Sequence, residues 1–177
     1  MASDAPASLT DLADCCRLVF RGDRAAADKA GEAFEVALPA QPMRAAHADE
    51  RAALWLGRGE WLLLAPADER DRLVSAIGAE LGQAPHALVD VSDASLAIEL
   101  HGPEATDLLS AGCPLDFDLS AFPVDMCTRT LYGKAEIVLW RKQSDRFRID
   151  VRRSFLPYMK GLLSEVMREQ ANVMAEA

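Results

Sequence analysis

Between Leu88 and Phe117 the sequence LVDVSDASLAIELHGPEATDLLSAGCPLDF gathers residue types that can do chemistry. Asp90 and Asp93 flank Ser92, Glu99 precedes His101 by two positions, and Cys113 lies in a Gly-Cys-Pro run. A nucleophile needs a base within hydrogen-bond reach and a third group to orient that base. Ser92 lacks the GxSxG elbow that would lift its hydroxyl out of a strand-to-helix turn. Glu99 and His101 would share one face of an extended strand, so a His–Glu dyad competes with a surface or capping role for His101. The reading favours punctuation: Asp90, Ser92 and Asp93 bond nearby backbone amides, and no residue is assigned as catalytic.

Other chemistries find less support. His47, His86 and His101 show no HxxxH or HxH spacing, and Cys15, Cys16, Cys113 and Cys127 form no paired CxxC, so no metal site is expected. Asp116, Asp118 and Asp125 lack the EF-hand rhythm. Neither a GxGxxG after a strand nor a Walker sequence is present, and no residue is assigned to cofactor binding. The four cysteines read as reduced thiols of a cytoplasmic protein.

These residues must be positioned by elements that the pattern predicts. Arg17–Arg21 reads as a strand, and Asp23 as the N-cap of a helix from Arg24 to Phe34. WLG-RG-EWLLL reads as a hairpin, and Ala67–Leu81 as a helix with Leu73, Ile77 and Leu81 on one face. Leu88–Val91 is expected as a buried strand. Ala94–His101 is expected to alternate, with Leu96, Ile98 and Leu100 inward, before a helix opened by Pro103 and stopped at Gly112. Met126–Tyr132 is a further strand. Lys134–Trp140 and Arg146–Arg153 are expected to form a hairpin around Arg141–Asp145. Ser154 would cap a last helix packed through Phe155, Tyr158, Leu162 and Val166. The mixed order predicts an α+β fold with largely antiparallel sheets and packed helices. The 177 residues, half of them apolar, fit a single domain, 1–177, with a flexible stretch at 1–14.

Charge narrows the partners. The net charge is −9, but residues 1–125 carry 9 basic and 22 acidic side chains and residues 126–177 carry 10 basic and 6 acidic. That balance disfavours nonspecific nucleic-acid binding. No apolar run approaches the roughly 20 residues that cross a bilayer, and the N-terminus lacks a secretory pattern, so a membrane is not expected as a partner. In the late hairpin, Leu139 facing Phe147 would leave Trp140, Arg146, Arg148 and Arg152 on the opposite face. An aromatic among arginines is typical of a protein interface, and these four are the candidate partner surface.

The segments WLGRGEWLLL, VDVSDASLAIELHGPEATDLLSAGCPLDF, FPVDMCTRTLYGKAEIVLWR and RFRIDVRRSF resemble the gamma subunit family of heterotetrameric sarcosine oxidase, in order and spacing, from about Ala52 to Phe155. RLVFRGD and the alanine-rich helix after it fit as well. The resemblance implies a fold like that of the folate-binding aminomethyltransferases and a non-catalytic, structural role. It implies an assembly that demethylates sarcosine to glycine, yielding hydrogen peroxide and a one-carbon unit passed to tetrahydrofolate. The partners would be the alpha, beta and delta subunits, and FAD, FMN, NAD and tetrahydrofolate would belong to them. Two alternatives remain: a stand-alone folate-binding or one-carbon transfer protein, with Asp90 or Asp93 holding the pterin, and a subunit of a related N-methyl amino acid dehydrogenase complex.

Overall fold

A computed structural model describes residues 7–175, which divide into two compact units. The strand β1 (Ser8–Asp11) belongs to the second unit. Residues 1–6 of the expected flexible stretch lie outside the described residues. The stretch expected to be loose nevertheless contains β1, because Ser8–Asp11 finds an antiparallel partner at Ile98–His101.

The first unit takes residues 13–94 and 125–128. In chain order it contains β2 (Cys15–Gly22), α1 (Arg24–Phe34), β3 (Ala45–Ala48), β4 (Arg51–Gly57), β5 (Glu60–Pro66), α2 (Arg70–Leu81) and β6 (His86–Asp90). The sheet order is β3-β4-β5-β2-β6, with antiparallel neighbours throughout. Leu18, Phe20, Ala53, Leu63 and Ala65 present one face to the helices. Ala26, Ala27, Ala30 and Phe34 of α1 meet them, as do Leu73, Ile77 and Leu81 of α2, the set expected from helical spacing. Each of those three buried side chains contributes about 1.5–3 kcal/mol. Asp23 accepts a hydrogen bond from Ala26 N at 2.8 Å and starts α1 where expected. Glu35, in the left-handed region with φ 61°, ends it. A short 3-10 turn, Ala67–Glu69, leads into α2. The expected buried strand at Leu88–Val91 is instead β6, an edge strand with Val89 52% exposed. Its apolar letters suggested enclosure, but among the described residues β6 pairs only with β2.

The second unit's sheet has the order β1-β7-β10-β9-β8, where β7 is Ser95–His101, β8 Cys127–Tyr132, β9 Ala135–Gln143 and β10 Arg146–Arg152. The short helix α3 (Ala105–Ser110) follows β7, starting two residues after Pro103, and α4 (Leu156–Ala175) follows β10. The hairpin register differs from expectation by two residues. Leu139 opposes Ile149, Ile137 opposes Val151, and Phe147 opposes Arg141. The charged run Arg141–Asp145 reads as a turn, yet β9 continues to Gln143 because the charge of Arg141 is satisfied inside the unit. The packing stripe of α4 also differs. Met159 and Leu163 are fully buried, whereas Phe155 and Tyr158 are each 40% exposed. Phe155 and Ser154 lie in a 3-10 turn (Arg153–Phe155), so Ser154 is not the cap immediately before α4, and the helical phase begins later than expected. Buried Ala97 and Glu99 also occupy the side of β7 expected to face solvent.

Candidate functional site

The polar residues of Leu88–Phe117 take local structural roles. Asp90 Oδ1 accepts from Ser92 N at 2.9 Å and from Ser92 Oγ at 2.6 Å, closing a turn. Those two bonds, aided by Arg70 at 3.6 Å, hold the Asp90 carboxyl below its ordinary range against an opposing effect of burial. Ser92 Oγ in turn accepts from Arg17 N at 3.0 Å, stitching the turn to β2. Asp93 is exposed in the same turn. The next aspartates repeat the motif. Asp116 accepts from Asp118 N at 2.9 Å, and Asp118 accepts from Ser120 N at 2.8 Å and Ser120 Oγ at 2.6 Å.

The His101–Glu99 dyad is not formed. His101 Nε2 lies 2.7 Å from Ser8 Oγ on the neighbouring strand β1. Glu99, nearly buried, accepts from Arg146 at 2.8 Å and Lys142 at 3.3 Å. Two cations therefore face a carboxylate that the dyad would have needed as its orienting group. Cys113 is buried with Thr130 Oγ1 at 3.6 Å, and burial pushes its thiol pKa up, away from nucleophilic character. No group of three His, Cys, Asp or Glu side chains among the described residues is arranged to hold a metal ion.

The late hairpin does not bring its four candidates together on open surface. Trp140 stands directly opposite Arg148, but only 6% of it is exposed. Arg148 is largely enclosed and grips Asp150 through two bonds of 2.7 and 3.1 Å. Arg146 extends to Glu99 and remains partly open, and Arg152 is exposed. Two buried arginines escaped the sequence reading. Arg17, expected only as the first residue of a strand, and Arg141, expected to begin a turn, are both almost fully enclosed. Arg141 donates to Phe117 O at 2.9 Å, Phe122 O at 2.6 Å and Ser144 O at 3.1 Å, so one guanidinium fixes the 117–122 loop and the hairpin turn. Burial lowers its pKa, opposed by Asp118 and Asp145.

The first unit also holds a cavity of about 710 Å³ beside the β4–β5 turn, bordered by Trp55, Trp61, Ala40, Pro42, Arg24 and Arg58. The letters WLGRGEW could have suggested it: strand pairing across a Gly-Arg-Gly turn sets the two tryptophans opposite one another.

Comparison with known proteins adds to this geometry. Residues 21–169 match the family described as sarcosine oxidase, gamma subunit. The chain is 33% identical over 142 residues to the sarcosine oxidase subunit gamma of Corynebacterium sp. (strain P-1), covering 80% of this chain and 69% of the relative. It is 32% identical over 180 aligned positions to that of Arthrobacter sp., covering 97% and 87%. It superposes with a TM-score of 0.87 and 28% identity on a chain of the heterotetrameric sarcosine oxidase from Corynebacterium sp. U-96 solved in complex with pyrrole 2-carboxylate, covering 96% of this chain and 87% of that one. It also superposes on the glycine cleavage system aminomethyltransferase T from Bartonella henselae, with a TM-score of 0.67 and 12% identity over 90% of this chain and 45% of that one. That second likeness is one of fold, the fold that the family resemblance implied.

Proposed function

Because the chain belongs to the sarcosine oxidase gamma subunit family, we propose that it acts as the structural gamma subunit of a cytoplasmic heterotetrameric enzyme that demethylates sarcosine to glycine. The reaction uses oxygen, releases hydrogen peroxide and passes the one-carbon unit to tetrahydrofolate. FAD, FMN, NAD and tetrahydrofolate are held by the alpha, beta and delta partners. The observation that carries this reading is the superposition on a heterotetramer chain at 28% identity over 96% of the sequence.

The polar residues of this chain support the same assignment. Of the two carboxylates offered for a pterin, Asp90 directs one oxygen to Ser92 and the other toward Arg70, and Asp93 is exposed in the same turn. No helix among the described residues is long and apolar enough to cross a membrane. Arg146 and Arg152 are the members of the hairpin set that offer surface to a partner, and Arg152 is where the contact is expected to begin.

The test is co-expression of the tagged chain with large-subunit candidates encoded beside it. Flavoprotein subunits should co-elute, and the eluate should generate peroxide only when sarcosine is added. The chain purified alone should be colourless and inactive. Elution of the chain alone would refute the subunit role. Micromolar binding of tetrahydrofolate by the isolated chain would refute the placement of folate in a partner.

A further inference from the structure

We propose that the cavity beside the β4–β5 turn binds a small aromatic carboxylate: a flat ring carrying a single negative charge. Its volume of about 710 Å³ lies within the roughly 300–1,000 Å³ typical of small-molecule sites. Trp55 and Trp61 are cross-strand partners, so their side chains rise from the same face of the sheet. Ala40 and Pro42 also line it. Trp55 is only partly buried, whereas Trp61 is 3% exposed and packs on Phe20, so Trp55 offers the larger aromatic surface to a planar ring and Trp61 closes the space behind it.

The sign of the ligand follows from which charges are already engaged. Arg24 donates to Leu38 O at 2.9 Å and pairs with Asp28. Asp23 also lines the cavity and keeps its negative charge, but its Oδ1 caps α1 through Ala26 N, where the helix N-terminus partly offsets that charge. Arg58, at the tip of the turn, has no ion pair or hydrogen bond among the described residues. An uncommitted guanidinium beside two indoles selects a carboxylate, whose two oxygens match its fork of donors, over a cation of the same shape.

The frame is set before any ligand arrives. Gly22 N donates to Gly59 O at 3.1 Å, pinning the β4–β5 turn to the start of α1. The contact is close enough that a Cβ on Gly59, at φ 72°, would lie 2.9 Å from Gly22 O. Trp61 Nε1 donates to Pro39 O at 2.9 Å and holds the loop before Ala40. A rigid frame lowers the ordering cost of binding. The site is independent of the subunit assignment, since every residue in it belongs to this chain.

The test is a titration of the full chain, with its three tryptophans ¹⁵N-labelled in the indole ring, against 2-naphthoate. The expected result is saturable movement of the Trp55 and Trp61 indole N–H resonances, with Trp140 unmoved. Arg58→Ala should weaken binding about tenfold without changing the thermal midpoint, and Arg58→Lys, which keeps the charge but not the planar fork, should recover only part of it. Acetate and 2-naphthylmethylammonium each keep half of the required chemistry and should bind at least about tenfold more weakly. Equal binding of the ammonium compound, or undiminished binding by Arg58→Ala, would overturn the charge selection and with it the proposal. So would the lack of saturable movement at millimolar naphthoate, or equal movement of Trp140.

Discussion

Arg141 stands directly across the late hairpin from Phe147, and its guanidinium carbon lies 5.0 Å from the centre of that ring. The same guanidinium reaches three backbone carbonyls, so a charge inside the unit is met by a π face and by peptide dipoles. Arg141→Ala would leave those carbonyls without their donor. At about 1–3 kcal/mol for each buried group left unsatisfied, a loss of roughly 3 kcal/mol or more is expected in urea denaturation. Arg141→Lys should recover only part of it, because an ammonium lacks the planar fork.

Gly112 is pressed against a buried ring. A Cβ there would meet Tyr132 Cζ at 2.7 Å and Cε2 at 2.8 Å. Tyr132 is itself held by donation of its hydroxyl to Leu108 O at 3.0 Å, so it has little room to yield. Gly112→Ala is expected to cost about 1–3 kcal/mol through overpacking. Tyr132→Phe, which keeps the volume and loses one hydrogen bond, should cost about 1 kcal/mol. Thermal unfolding of the two variants ranks them.

The buried stripe of α4 can be checked by contrast. Leu163→Ala should destabilise by about 2–5 kcal/mol. Phe155→Ser, at a position 40% exposed, should change stability by no more than about 0.5 kcal/mol. The reverse ranking would restore the stripe that the sequence suggested.

Ser92→Ala should produce a pH-dependent loss. Folded Asp90 titrates below its unfolded value, so it adds stability above about pH 4 and loses it as pH falls through the folded value. The stability gap between the parent and Ser92→Ala should therefore be widest near neutrality and narrow in acid. A residue of the gap should persist at every pH, since Ser92 also accepts from Arg17 N. Denaturant melts at pH 7 and in acid measure both parts.

Thiol reactivity should be strongly graded. Burial pushes the Cys16 pKa up to about 11 and that of Cys127 up to about 12. Cys127 also donates to Trp55 O at 3.5 Å. Native protein at pH 8 should be labelled first at half-buried Cys15, with Cys16, Cys113 and Cys127 reacting only as the chain unfolds. Mass spectrometry of a timed alkylation gives the order.

Much of the fold was legible because local rules and tertiary packing agree. The Asp23 cap, the α2 stripe and the Gly57–Glu60 turn each follow from a few adjacent letters. The failures share a physical origin. Arg141 reads as a turn residue and Glu99 as part of the polar side of its strand, because only distant partners make burial of either charge possible. The hairpin register moved by two residues for the same reason. β6 looked enclosed because Leu88 and Val89 are apolar, while its place at the sheet edge depends on pairing order. The turn roles of Asp90 and Ser92 were readable from their spacing, whereas the Trp55–Trp61 cavity also needs the loop at 39–42.

Glu99 clasping Lys142 and Arg146, and Asp11 joined to Lys160, have an electrostatic consequence. Each pair couples an acid from the negative stretch of the chain to a base from the positive stretch. The lopsidedness visible along the linear polymer is thus partly neutralised in space, and Arg141 hides another positive charge from water. An approaching macromolecule meets a milder field than the alphabet advertises, so ionic strength should alter its rate of encounter less than a simple tally of lysines and arginines implies.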